Sequence, residues 1–264
     1  MRVTALASGS SGNAYLIQAG TTAVLVDAGI TLVQLGAALA SAGLTIPRLT
    51  CLLLTHEHSD HLSSAAALSR RHGLPVLATP GTLAYLPGCQ GERIALAEGA
   101  RLSMGELAVT PFAVPHDGAE PVGYLLEHEG VRVCLATDLG HVPRDLLPVL
   151  RTCDLLVLEA NHDWQRLWQG PYPLSLKQRV AAPTGHLSNE QAAACLIECA
   201  SGGPQWVWLA HLSATNNSPR FALRAVTARL HEAQVRTLNV QVALRDRPSL
   251  TWHSAKTYYQ PPLL

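Results

Sequence analysis

Residues 52–64 read LLLTHEHSDHLSS. An apolar run ends at Thr55, four metal-ligating side chains follow, and a helical pattern takes over at Leu62. The unit His56-x-His58-x-Asp60-His61 therefore sets three imidazoles and a carboxylate at the end of a strand. Alternation along an extended segment turns His56 and His58 the same way. Asp60 and His61 open the turn that follows, where they can reach a second ion. Imidazole and carboxylate donors without cysteine suit Zn, Mn or Fe, and not a closed Cys-rich structural zinc site.

The same punctuation recurs along the chain. Asp27 closes VLVDAG, His116 FAVPHD, Asp138 CLATDLG, Glu159 LVLEANHD and His211 WLAHLS. Each is a poor residue for a sheet interior and a good ligand at a sheet's rim. Residues 3–7, 14–18, 23–26, 50–54, 76–78, 107–114, 122–126, 131–136, 155–158 and 206–209 have the composition and boundaries of strands. Residues 237–243 and 249–252 could be final ones. Helical patterns cover 32–42, 62–72, 144–150, 189–200 and 219–233. Gly43 and Gly73 stand where helices end, and Ser188 with Gln191 forms a capping box. Strands in groups with helices between the groups predict an α/β protein, two sheets face to face with helices outside.

With 264 residues and no linker or repeat, a single domain over 1–264 is expected. No apolar run approaches the ~20 residues of a membrane span. The first run stops at Ala7, short of a signal-peptide core, so the expectation is a cytoplasmic protein without a membrane partner. Formal net charge is zero and the charged share 14%. That argues against a strong non-specific grip on nucleic acid, without excluding a local basic patch. Cys51, Cys89, Cys134, Cys153, Cys195 and Cys199 form no CxxC pair and read as buried free thiols.

Ser8-Gly9-Ser10-Ser11-Gly12-Asn13 is either a tight turn or a loop that approaches a ligand. Residues 14–18 and 23–26 are joined by a turn at Gly20-Thr21. That hairpin places Ala14 opposite Asp27, to within a residue or two, and the Ser8–Asn13 run at the rim of the metal site. The expectation is a phosphate cradle built from Ser11, Gly12 and Asn13.

HxHxDH, with Asp27 before it and His116, Asp138 and His211 after it, resembles the metallo-β-lactamase fold superfamily. The resemblance implies a four-layer αββα sandwich. It implies two divalent ions, Zn2+ or Mn2+ with Fe a further option. One would be held by His56, His58 and His116, the other by Asp60, His61 and His211. Asp138 would bridge them, and Asp27 would support the site by hydrogen bonding.

LEANHD, GHLSNEQ and LAHLSATNNSP are similar to the nuclease branch, ribonuclease Z and the β-CASP nucleases. There a strand-end carboxylate pairs with a histidine that serves as general acid. The matching residues are Glu159 and His186, and the likeness implies that His186 protonates the leaving oxygen while Asp60 orients the attacking water. The full set of motifs, with ASGSSGNAYLI and GPYPLSLKQRV added, resembles the YycJ/WalJ family of bacterial hydrolases, described as 5′→3′ DNA exonucleases. A nucleic-acid substrate, DNA before RNA, is thereby implied. Only 27 positions separate Glu159 from His186, so the inserted β-CASP domain is absent, and no ribonuclease Z arm is visible. A modest clamp is offered by residues 161–179, with Trp164, Trp168 and Tyr172 for stacking and Arg166, Lys177 and Arg179 for phosphates. A lid loop that buries its own Trp residues is the plainer reading of the same stretch. Asn161 and His162 border the site.

Two other readings remain open at this level. A hydrolase of a small phosphodiester, thioester or lactone fits the zero net charge. A redox di-iron protein or an inactive scaffold fits less well, because His58 stands where the di-iron relatives carry Glu and no ligand is missing.

Overall fold

The computed structural model describes residues 1–254; residues 255–264 of the expected domain lie outside the described residues. The first sheet has seven strands, in the order β14 (Leu250–His253), β1 (Arg2–Gly9), β2 (Gly12–Ala19), β3 (Thr22–Val26), β4 (Cys51–Leu53), β5 (Val76–Ala78) and β6 (Arg93–Ala95). The second, also of seven, runs β13 (Asn239–Val242), β12 (Trp206–Ala210), β11 (Leu155–Glu159), β10 (Val131–Ala136), β9 (Val122–His128), β8 (Leu107–Ala113) and β7 (Leu102–Met104). In each sheet an antiparallel meander joins a parallel set, β3 to β6 in the first and β10 to β13 in the second.

Alternation along the strands explains the layers. Val24 and Val26 face the second sheet, whereas Ala23 and Leu25 face outward. Leu155 and Val157 meet the first sheet, whereas Leu156 and Leu158 face the other way. Both faces of the strands are buried, which is why their sequences are almost continuously apolar. Helices α1 (Leu32–Ser41), α2 (Ser59–Leu62), α3 (Ala65–His72) and α4 (Pro80–Ala84) follow strands of the first sheet, and α1, α3 and α4 cover its outer face. Helices α5 (Leu147–Arg151), α8 (Asn189–Cys199) and α9 (Pro219–Glu232) cover the second. The result is the expected αββα sandwich. No helix among the described residues is long and apolar enough to cross a membrane.

Three local differences from the sequence expectation have physical reasons. The helix expected over 62–72 is split into α2 and α3. The Ser64 hydroxyl donates to Ile30 O at 2.6 Å and its N–H to Ala28 O, which pins the break to the loop after β3. Residues 161–179 fold as two short helices, α6 (Trp164–Gln169) and α7 (Leu174–Val180), interrupted at Gly170-Pro171-Tyr172-Pro173. Strands β6 and β7 are three residues each and half-exposed, so the periodic signal they carry is too short to read.

The hairpin register matches the expectation. Tyr15 pairs with Val26, one step from Ala14 and Asp27, and Gly29 N–H donates to Asn13 O. The Ser8–Asn13 run is itself a hairpin turn. Ser8 pairs with Asn13 and Gly9 with Gly12, leaving Ser10 and Ser11 at the tip.

Candidate metal centre

Asp27, Glu159 and the first member of the HxHxDH unit stand at or just beyond the C-terminal ends of β3, β11 and β4. Asp138 and His211 follow β10 and β12 in the same way. The C-terminal ends of parallel strands are where an open sheet leaves room for a ligand. Leaving the sheet bends the chain sharply. Asp27, Asp138 and His211 adopt φ of 60°, 59° and 52°, the left-handed region that non-glycine residues seldom enter. Three site residues in that region mark strain concentrated at the site.

Two donor trios result. In the first, His56 Nδ1 donates to Thr55 Oγ1 at 3.0 Å and His116 Nδ1 to Gly185 O at 3.1 Å. Both rings therefore present an Nε2 lone pair, and both lone pairs converge on His58 Nδ1, at 3.0 and 3.2 Å. In the second, His61 Nδ1 donates to Asp27 Oδ2 and His211 Nδ1 to Glu159 Oε1, each at 2.8 Å. Carboxylates only accept, so those protons sit on Nδ1 and the Nε2 atoms turn toward Asp60 Oδ2, at 3.6 and 3.3 Å. Asp138 lies between the trios. Its Oδ1 is 3.8 Å from His116 Nε2 and its Oδ2 3.3 Å from His61 Nε2.

This donor set fits metal ions. Three imidazole nitrogens facing one another cannot satisfy each other with the protons available, but a cation satisfies all three. Asp138 Oδ2 is buried and lacks a hydrogen-bond partner, a costly state that a cation removes. Each of the trios His56/His58/His116 and Asp60/His61/His211 brings its donor atoms within 4.8 Å of one another, as does His56/His61/Asp138.

The proton affinities of the trios diverge. Burial, helped by the neighbouring imidazoles, holds His56 well below the usual histidine range, and burial also lowers His116. Burial works against a proton on His211 too, yet Asp138, Asp60 and Glu159 raise it to about 10. His61 is likewise pushed well above its ordinary value, by Asp138 and Asp27 against the burial penalty. Burial opposes ionisation of Asp60 and Glu159, but their histidine neighbours hold both carboxyls well below the usual range.

A cavity of about 450 Å³ opens over the trios. Its wall includes Ser10, Asp117, Asn161, Tyr172, Leu176, Arg179, His186 and Ser213. His186 Nδ1 donates to Glu159 Oε1 at 2.8 Å, so a single carboxylate oxygen holds both His186 and His211. Leu139 N–H and Leu187 N–H donate to its Oε2. Arg179 Nε donates to Asp117 Oδ2 at 2.6 Å, and Asp117 Oδ1 lies 3.4 Å from His116 Nε2.

Several expected substrate contacts are placed elsewhere. The Ser8–Asn13 turn contributes Ser10 to the wall, not Ser11, Gly12 or Asn13. Pairing returns Gly12 and Asn13 to β2, and the Asn13 amide lies against Gly9, Asp60 O and His61 Nε2. His162 is fully buried, outside the wall, with both ring nitrogens unpartnered, and burial lowers it to about 4. Lys177 Nζ donates to Trp168 O, and Trp164 lies half-exposed beyond the cavity. Asn161 and Arg179 do line the cavity. Sequence reasoning missed Ser10, Ser213, Asp117 and the backing hydroxyl of Thr55. Asp117, next to His116, and Ser213, two places after His211, could have been found by their adjacency to ligands. Thr55 carries no signal that separates it from any strand-end threonine.

Comparison with known proteins agrees with this geometry. The beta-lactamase superfamily domain model matches residues 22–212. Exodeoxyribonuclease YycJ of Bacillus anthracis is 34% identical over 232 residues, 86% of this chain and 88% of its own. Exodeoxyribonuclease WalJ of Streptococcus pneumoniae is 32% identical over 237 residues, 87% of this chain and 88% of its own. The zinc-bound protein PqqB of Methylobacterium extorquens superposes with a TM-score of 0.74 at 18% identity, covering 96% of this chain and 100% of that one, a likeness of fold. The family model over residues 22–212 and two relatives at 32–34% identity over most of the chain make this protein a metal-dependent hydrolase of the beta-lactamase superfamily, in the family that contains the YycJ and WalJ exodeoxyribonucleases.

Proposed function

We propose that the protein hydrolyses phosphodiester bonds at the end of a nucleic-acid strand, with DNA as the substrate. The observation that carries this is Glu159 Oε1, which accepts from His186 and His211 together. A thiolate or an enolate leaves without help, whereas an alkoxide leaving from phosphorus needs a proton. His186 is built to deliver it. Its Nδ1 is fixed on Glu159, and the ring lines the cavity, so its Nε2 is the atom that can meet a leaving oxygen.

The reading includes two divalent ions, Zn2+ or Mn2+, one for each trio, with Asp138 reaching both. When bound, such ions supply Lewis acidity toward phosphoryl oxygens and acidify a water toward neutral pH. The remaining work falls to side chains. Asp60 accepts a hydrogen bond from the attacking water and fixes its direction. Asp27 and Glu159 hold His61 and His211 in the ligating tautomer. Arg179, steered by Asp117, offers a guanidinium to a non-bridging oxygen of the substrate. Tyr172 and Leu176 give the base an aromatic and apolar wall.

The test is a digestion panel of end-labelled DNA and RNA strands, with bis-p-nitrophenyl phosphate and a thioester alongside, in Zn2+ and Mn2+. Release of labelled products from DNA ends is expected, with slower turnover of RNA. Thioester hydrolysis without phosphodiester cleavage overturns the reading, and faster RNA cleavage reverses the choice of nucleic acid.

A further inference from the structure

We propose that Trp164, Arg166 and Phe221 form a stacking platform for the unpaired strand beyond the nucleotide in the catalytic cavity. The proposal rests on the phosphodiesterase reading and adds a second, non-catalytic contact with the same substrate. The cavity of about 450 Å³ is of a size for one small-molecule ligand, so most of any polynucleotide must lie outside it.

Few large apolar side chains are exposed among the described residues, and three of them, Trp164, Leu174 and Phe221, follow in sequence the wall residues Asn161, Tyr172 and Ser213. Trp164 is 49% exposed and Phe221 47%. They belong to different helices, α6 and the first turn of α9, and Arg166 ties the two together. Its guanidinium carbon sits 4.6 Å from the Phe221 ring centroid. Trp164 is braced from within by Trp168, with ring centroids 5.6 Å apart, and by His162 at 6.5 Å. A half-exposed indole held rigidly from behind offers a stacking face at little entropic cost.

Charge selects the occupant. The Arg166 side chain makes no ion pair among the described residues, nor do those of the exposed Arg220 and Arg224 on α9. Asp163, the nearest carboxylate in sequence, caps α6 by accepting from Arg166 N–H. Arg166 over the Phe221 ring, with the exposed and ion-pair-free Arg220 and Arg224 on the first turns of α9, on a chain of zero net charge, match a polyanion with free π-faces. A duplex hides those faces, and a protein partner has no comparable need for three cations. Continuity with the cavity is given by the chain. Asn161 and Ser213 line it, Trp164 is three positions after the first and Phe221 eight after the second, and Asp163 N–H donates to Asn216 O between the two segments.

The test uses the whole chain and the variants Phe221→Ala, Trp164→Ala and Phe221→Trp. Both aromatic positions are about half exposed, and an unchanged melting temperature confirms folding. KM is measured on single strands of increasing length, from a dinucleotide upward. The platform requires a loss that grows with length, about tenfold in KM for the longest strands on removing either ring, with kcat little affected. Phe221→Trp should keep or improve affinity. A length-independent loss, or none, overturns the platform. Anisotropy of a labelled oligothymidylate on the metal-free protein reads binding without cleavage. Binding lost in Phe221→Ala, in a wild type that cleaves no phosphodiester, would leave the platform standing and the function refuted. Cleavage with unaltered oligothymidylate binding would do the reverse.

Discussion

The two donor trios are built from similar side chains but backed by different partners. His56 and His116 lean on a hydroxyl and a backbone carbonyl, both neutral. His61 and His211 lean on buried carboxylates, Asp27 and Glu159. A charged partner behind an imidazole makes the far nitrogen more basic and locks the ring more firmly. His56 and His116 are therefore held neutral and ready to ligate, whereas His61 and His211 hold protons that an incoming cation must displace. Only the second is joined to His186, the proposed general acid, through the shared Glu159. Three imidazoles in one trio and two imidazoles with a carboxylate in the other differ in proposed duty as well: one anchors, and the other is linked to proton transfer.

The sharpest blow to this distinction is Glu159→Ala. It removes the partner of His186 and of His211 at once, so phosphodiesterase kcat/KM should fall about 10³-fold or more. A fall no larger than that of His186→Ala, with full metal content, would erase the link between the trios. Next in size is Asp27→Asn, which keeps the shape and removes the charge behind His61. Metal affinity of the second trio should drop about 10- to 100-fold. Metal analysis after dialysis should then show the first trio retaining its ion, and equal loss from both would break the comparison.

A pH titration reads the difference without mutation. In the metal-free protein His61 and His211 keep their protons above the unfolded value of ~6.5, His211 up to about 10. Their stabilising contribution is complete below ~6.5 and is lost as pH rises above it, for His211 through about 10. His56 and His116, shifted down, contribute in the opposite sense, and lose it as pH falls. The gain in melting temperature on adding Zn2+ should thus widen from pH 6.5 toward 10, and a constant gap would contradict the assignment. The smallest effect is expected at Thr55→Val. Its hydroxyl serves Asp27 and His56, so stability should fall by about 1–3 kcal/mol in thermal or urea unfolding.

The candidate ligands were legible because they cluster just after apolar strands, and sheet ends gather in space whatever the loop lengths. Glu159 and His186 were legible through their motifs. The partners behind them were not. Thr55 and the Gly185 carbonyl act through ordinary groups that any strand end or loop possesses. The Ser8–Asn13 turn was correctly placed at the rim, but which residue faces the cavity depends on a two-residue tip. There one step of pairing turns Asn13 inward to Asp60 and His61 and leaves Ser10 on the wall. Phe221 was hidden for a different reason. A phenylalanine near the start of an amphipathic helix reads as core, and only the Arg166 contact and its exposure reveal otherwise.

The left-handed backbone at Asp27, Asp138 and His211 has a consequence for how this chain can change. Each of these residues holds a conformation that glycine or asparagine would tolerate more easily. Each also carries a group that the proposed metal centre uses. Glycine there would ease the backbone and at the same stroke remove the Asp27–His61 and His211–Glu159 hydrogen bonds, so backbone comfort and side-chain bonding pull in opposite directions at the same positions.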